Sequence, residues 1–269
     1  MKRATRIGRF KAAAGVAVLC ALALSAVAAS SASAKGLTAF TCVTDPSGTL
    51  KGDHCLTEGS GSPAKHVKFT EKTTGIATNA NTASETTAAR KSILKGTLSG
   101  VASEIECTGV TGEGTIENKT TVPETGEMYV HVIGKLKYTG CKMLKPAGCT
   151  VATELETNQL TGTTEGIQTA EGPHTGLIKP AGETPFIEIK TTGCTNEGLN
   201  QTYPVTGSLK GILTGATVTS AHNDITTQNT LKFGGQKAGL DGALTLKAHK
   251  FPKEGETVEE TKPLSVTTE

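Results

Sequence analysis

The chain has 269 residues, of which 19% are charged and 3% aromatic, with no Trp, 32 Gly and 46 Thr. The charged share lies below the usual value of about a quarter, and 27 Lys plus Arg against 25 Asp plus Glu leave a formal charge of only +2. This composition argues against a helical bundle, a coiled coil, a multispan membrane protein or a nucleic-acid binder with a basic footprint, and favours a Thr- and Gly-rich all-β protein with a thin core.

Residues 1–34 read as a secretory signal. Lys2, Arg3, Arg6, Arg9 and Lys11 form a basic start without an acid, residues 12–29 are apolar, and Ser30-Ser31-Ala32-Ser33-Ala34 supplies a small-x-small end. That order predicts cleavage after Ala34. Leu19 before Cys20 is too large for a lipoprotein signal. Without this segment the remaining chain has 22 Lys plus Arg against 25 Asp plus Glu, about −3. It offers no long-range field to DNA or anionic lipid. The expected location is secreted or extracytoplasmic, with no stable membrane span after cleavage.

Residues 35–90 read as a disulfide-bonded β segment packed on a main β domain at 91–248. Residues 79–91 have room for one or two helical turns, though Thr and Asn suit a loop equally. Period-two alternation marks the strands of the main domain. Ile105 and Cys107 alternate with Glu104 and Glu106. Met128, Val130, Val132, Leu136 and Tyr138 share a face with Gly134, while Tyr129, His131, Ile133, Lys135 and Lys137 share the other. Ile187 and Ile189, Leu231 and Phe233, and Leu244 and Leu246 repeat the pattern. Thr suits such strands because its branched β-carbon fits a pleated surface and its hydroxyl tolerates water. Turn signals at 123–126, 172–173 and 234–235 punctuate them. The expected fold is therefore an antiparallel β-sandwich or barrel-like domain with three disulfides and little helix outside the signal. LKGTLSG at 94–100 and LKGILTG at 209–215 allow equivalent strands of two halves. Residues 249–269, with alternating charge and few apolar side chains, read as a flexible tail.

Six cysteines remain after Cys20: Cys42, Cys55, Cys107, Cys141, Cys149 and Cys194. An even number in an exported chain points to disulfides. Their spacing is not that of a metal site, and 15 pairings are possible on paper. Local geometry favours Cys42–Cys55 and Cys141–Cys149, each across a turn, which leaves Cys107–Cys194 as a long-range staple.

The chemistry-bearing residues are sparse. Asp45, Asp53, Asp224 and Asp241 are the four aspartates. Asp53-His54 and His222-Asn223-Asp224 read as polar turns. Ser92 and Lys95 match SxxK, and Lys190 to Gly193 loosely resembles KTG, but both lie in strand patterns rather than on the buried helix that such acylation needs. Gly112-Glu113-Gly114 reads as a β-turn. Asn118 and Asn200 open glycosylation sequons. Thr217-Val218-Thr219 is too short for an ice-binding ladder, and Tyr129, Tyr138 and Tyr203 without Trp make a poor sugar platform. No cofactor is expected.

Several stretches taken together carry a resemblance. They are AFTC at 39–42 with the following Asp53-His54-Cys55, GTLSGVASEIECTGVTGEG at 96–114, KLKYTGC at 135–141 before Cys149, LETNQLTG at 155–162, PVTGS at 204–208 and LKFGGQKAGLDGALTL at 231–246. In these the chain resembles a set of exported, uncharacterised bacterial Thr/Gly-rich β proteins with paired cysteines. The resemblance implies a secreted, disulfide-bonded β protein, agrees with the pairing above, and implies no activity. His54 stands where that group more often has a small residue.

The function expected is that of a structural or binding β protein at the cell surface or in the medium, without catalysis. Its partner would be a surface protein or glycan, bound by end loops or by strand addition at a sheet edge. The alternative is a secreted hydrolase assembled from His131, His174, Glu188 and Asp224. The two differ in geometry: an enzyme brings such groups together in a concave pocket.

Overall fold

The computed structural model describes residues 37–44, 46–51, 57–58, 64–68, 73–79, 91–120, 128–164, 174–214, 217–220, 230–249, 251–253, 256–258 and 262–268. In chain order the elements are β1 (Leu37–Thr44), β2 (Leu50–Lys51), β3 (Thr57–Glu58), β4 (Ala64–Lys68), β5 (Thr73–Asn79), β6 (Ser92–Leu98), β7 (Val101–Cys107), β8 (Gly109–Thr120), β9 (Met128–Thr139), β10 (Lys142–Lys145), β11 (Glu154–Glu156), β12 (Leu160–Thr164), β13 (His174–Pro180) and β14 (Ile187–Lys190). A 3-10 turn at Glu197–Leu199 follows. Then come β15 (Thr202–Thr206), β16 (Leu209–Thr214), β17 (Thr217–Ser220), β18 (Lys232–Phe233), β19 (Gln236–Lys237), β20 (Gly239–His249), β21 (Phe251–Lys253), β22 (Glu256–Val258) and β23 (Lys262–Thr268). Every pairing between these strands is antiparallel, so the all-β, antiparallel expectation holds.

The pairings close on themselves. β5 pairs with β8, β8 with β9, β9 with β12, β12 with β13, β13 with β16, β16 with β17, β17 with β20, and β20 returns to β5. Closure removes the unpaired edges that an open sheet of this size would carry. The N-terminal part of β20 also pairs with β6, which continues through β7 to β10. A second layer of β14, β15, β18 and β19 lies over β6, where a Cβ built on Gly96 would stand 3.3 Å from the Cβ atoms of Ala238 and Phe233. The barrel thus carries a sandwich-like extension.

Two apolar clusters follow from this layout. Leu98, Ile105, Phe186, Ile189, Val205 and Phe233 belong to one, between the extension and its covering layer. Leu37, Ala39, Ile116, Val130, Leu213 and Ala248 form the other, inside the barrel against β1. The inward residues read from the sequence are buried: Ile105 and Cys107, though Glu106 between them is buried too; Ile187 to Lys190 alternate buried and exposed, and Phe233 is fully buried beside exposed Lys232. The β6–β7 hairpin turns at Ser99 and Gly100, whose φ angles of 48° and 81° match the mirror-image turn that follows strand twist.

Several expectations need correction. Cys107 bonds Cys141, and Cys149 bonds Cys194, in place of Cys141–Cys149 and Cys107–Cys194. The stretch after Cys141 is strand β10 rather than a simple turn. With Lys142 opposite Glu106, β10 brings Cys141 alongside Cys107 on β7. The bridge between Thr150 and Thr192 does the same for the second pair. Cys42 is disulfide-bonded; the expected partner, Cys55, lies outside the described residues.

Lys35–Glu269 forms one compact unit. The boundary at residue 90 does not divide it, because β5 completes the barrel ring. The expected flexible tail instead contains β21, β22 and β23, and β23 pairs with β1 from Leu37↔Thr268 to Thr41↔Leu264. Its hydrogen-bond partner is more than 200 residues away, which local composition does not reveal. Gly112-Glu113-Gly114 is mid-strand in β8, not a turn. The two LKG stretches occupy different places: β6 lies between β7 and β20, β16 between β13 and β17. The turns expected at 123–126 and 172–173 and the signal at 1–34 lie outside the described residues, as does all but Asn79 and Lys91 of the helical turns or loop expected at 79–91.

Candidate functional site inside the barrel

One face of every ring strand points inward, and the register identifies it. Gly114 faces Gly134, Ile116 faces Val132, Val132 faces Gly162, Gly162 faces Ile178, Gly176 faces Gly211, and Leu213 faces His174. Apart from His174, this inner set consists of glycine and aliphatic residues, and none of those named carries a carboxylate or an ammonium group.

The glycines set the shape. A Cβ on Gly114 would lie 2.8 Å from the Cα of Gly134, and one on Gly134 would lie 2.6 Å from the Glu113 carbonyl oxygen. Neither strand has space for a side chain there. Glycine in a strand interior marks a tight bend or a close backbone approach. Gly162 differs, since a Cβ there meets Val132 and Ile178 at ordinary contact distances of 3.7 and 3.8 Å.

Leaving side chains out of the inner face opens space. A cavity of about 130 Å³ runs beside Ile116, Val130, Val132, Leu160, Leu213 and Leu246. A second, of about 90 Å³, lies toward Ile105, Phe186, Ile187 and Val205. Leu136, Leu160, Ile178 and Leu244 line both. Val132, Leu136, Ile178, Leu244 and Leu246 point inward but are only half-buried, as expected of apolar side chains facing open interior space.

Three polar side chains line the second cavity: Tyr138, Ser92 and Thr157. Burial pushes the Tyr138 phenol up to about 12, with no other group contributing. Tyr138 is half-buried and lines the second cavity. Thr157, also on the wall, is engaged: its Oγ1 accepts from the Leu136 amide at 2.9 Å.

At the other end β1 crosses the barrel. Asn118 holds it there: its Oδ1 accepts from the Ala39 amide at 2.7 Å and its Nδ2 donates to the Ala39 carbonyl at 2.9 Å. The other sequon asparagine, Asn200, accepts from the Cys194 amide at 2.9 Å and steadies the loop of the second disulfide. Both amides are thus engaged inside the fold.

The charges lie outward. Glu106 meets Lys91 and Lys142, each at 3.2 Å, and Glu104 meets Lys145 at 3.2 Å and Lys95 at 3.9 Å. Burial alone would raise the Glu106 carboxyl, but hydrogen bonds and charge from Lys142 and Lys91 hold it below the ordinary value. β10, with its two lysines tied into this ladder, makes a charged edge that discourages strand addition.

The described residues of the hydrolase alternative, His131, His174 and Glu188, are not brought together. His131 and His174 face opposite sides of the barrel wall, since His131 shares its face with Thr163 and Leu177 whereas His174 shares one with Gly176 and Leu213. Glu188 is exposed on β14, and Asp224 lies outside the described residues, as do Asp53, His54 and His222. Burial lowers the His174 imidazole below its usual value.

His131 has partners that the sequence did not point to. Its Nδ1 lies 3.0 Å from Glu117 Oε1 and its Nε2 lies 3.0 Å from Thr161 Oγ1. Carboxylate, imidazole and hydroxyl stand in the order used for nucleophilic catalysis. However, they lie on the outer face of ladder-paired strands, away from both cavities, where the backbone amides that would form an oxyanion site are committed to the sheet. The signal in the sequence was alternation: Glu117, His131 and Thr161 all occupy outward positions.

Ser92 points inward while Lys95 pairs with Glu104 outside, so the SxxK reading fails on geometry. Tyr203 is buried in T-shaped contact with Phe233, Tyr138 lines a cavity and Tyr129 stacks edgewise near His131, so the tyrosines form no common platform. Among the described residues no three His, Cys, Asp or Glu side chains converge, and no helix is long and apolar enough to cross a membrane. Compared with known proteins, the chain matches no protein family, no curated protein and no solved structure.

Proposed function

We propose that this is an exported, non-catalytic binding protein that holds a small apolar molecule inside its barrel. The observation that carries the reading is the inner wall: half-buried aliphatic side chains and glycines around a cavity of about 130 Å³. An apolar cavity of ~150 Å³ stays dry and takes a benzene-sized guest, and small closed barrels hold single ligands. The basic-apolar-small order of residues 1–34, the disulfides and the resemblance to exported β proteins support export.

The test is titration with a small solvatochromic apolar dye, indole, whose fluorescence stands out against a chain without Trp, under non-oxidising and non-reducing conditions. Saturable fluorescence gain is expected from the native chain and its loss from Gly162→Ile, whose side chain would occupy the cavity. Absence of saturation, or an unchanged titration in a folded Gly162→Ile variant, refutes the reading. Export is checked by the N-terminal residue of the protein recovered outside the cytoplasm, expected to be Lys35.

The hydrolase reading draws on Glu117, His131 and Thr161. It takes precedence if p-nitrophenyl ester hydrolysis exceeds the buffer rate and disappears in His131→Gln.

A further inference from the structure

This inference rests on the barrel-binding reading and names the ligand class. The two cavities share four wall residues, Leu136, Leu160, Ile178 and Leu244, so they adjoin, the first inside the barrel and the second toward the extension. The first is bounded almost wholly by carbon, and the second adds the side chains of Tyr138 and Ser92. We propose that the barrel binds one unbranched aliphatic chain bearing a neutral, hydrogen-bonding end group, with the chain in the glycine-lined cavity and the end group against Tyr138 and Ser92.

Three features select this class. The glycines that remove side chains from the inner wall, Gly114, Gly134, Gly162 and Gly176, belong to four neighbouring strands and leave a channel rather than a broad chamber. On the scale where ~150 Å³ admits benzene, both cavities together hold on the order of nine carbons. Charge decides the end group. Glu113 and Lys135 are exposed, facing outward beside the wall glycines, and no other described lining residue of either cavity is ionisable except Tyr138. A carboxylate carried inside would find no lysine or arginine, and burial favours the neutral form of the inward-facing His174; an unpaired buried charge is prohibitive, whereas a hydroxyl, amide or ester needs only a hydrogen-bond partner. A phenol and a serine hydroxyl both donate and accept, which suits such an end group.

The experiment uses the chain purified with its disulfides intact and displaces indole with 1-octanol, octanoate at pH 7.5 and n-octane. The result expected is displacement by octanol at concentrations at least tenfold below those of octanoate and octane. Tyr138→Phe keeps the ring and deletes the hydroxyl, so it should bring octanol to within about threefold of octane while leaving dye binding in place. Octanoate matching octanol, octane matching octanol, or an unaltered octanol preference in Tyr138→Phe overturns the ligand class while the barrel-binding reading stands. Failure of the dye itself to bind overturns both.

Discussion

Replacing Cys107 with Ala strands one sulfur, and its identity separates the two pairing schemes. In the structure Cys107 bonds Cys141 and Cys149 bonds Cys194, so Cys107→Ala leaves the thiol at Cys141. In the scheme drawn from turn lengths it would leave the thiol at Cys194. Alkylation without reduction, followed by peptide mass mapping, reads this directly. The double replacement Cys107→Ala with Cys141→Ala then measures what the bond contributes. The cysteines are 34 residues apart, and closing a loop of that length restrains the unfolded chain by about 4 kcal/mol on the chain-entropy account. Both side chains are also buried, at 6% and 3% exposure, so trimming two sulfurs adds a cavity cost of about 1–2 kcal/mol. A total near 5 kcal/mol is comparable to the whole stability of many domains. Urea unfolding without reductant should show a much lower midpoint and a steeper slope, since the less restrained chain exposes more surface. A modified thiol at Cys194 in the single variant, or a double variant within about 1 kcal/mol of the parent, refutes the reasoning.

Other outcomes follow from the same geometry. Gly134→Ala should destabilise by roughly 1–3 kcal/mol through overpacking against Glu113 and Gly114, whereas Gly162→Ala should be neutral to slightly stabilising, as thermal unfolding will show. Asn118→Ala removes both hydrogen bonds to the buried Ala39 backbone and should cost about 2–4 kcal/mol in denaturant, with proteolysis increased near β1. Glu106 has a folded pKa below its unfolded value, so its contribution is present above the unfolded pKa near 4.5 and fades as pH falls through the lower folded pKa. The stability gap between parent and Glu106→Gln should therefore be fully open at pH 7 and close under acid. His174, lowered by burial, works in the same direction: stability should fall as pH drops from the ordinary His value near 6.5 through its lower folded value, with an NMR titration midpoint below 6.5.

Much of the protein is legible along the chain because strand alternation is local. Met128 to Tyr138 divides into its two faces by simple counting, and those faces became cavity wall and outer surface. The same counting buried Ile105, Ile189 and Phe233 correctly. The site was less visible. Glycines at 112, 114, 134, 162 and 176 are separated by ordinary strand residues, and only cross-strand register gathers them on one wall. His131 was visible as an ionisable residue, but Glu117 and Thr161 became its partners through pairing across three strands.

Composition and periodicity by themselves determined the antiparallel β class, the inward and outward face of most strands, and the presence of bonded cysteines, because each depends on neighbours within a few residues. Tertiary structure alone decided which cysteines meet, that the last strand returns to the first, and that eight strands close around an apolar space. Those outcomes depend on register between distant segments, where shifting a strand by one residue exchanges its two faces.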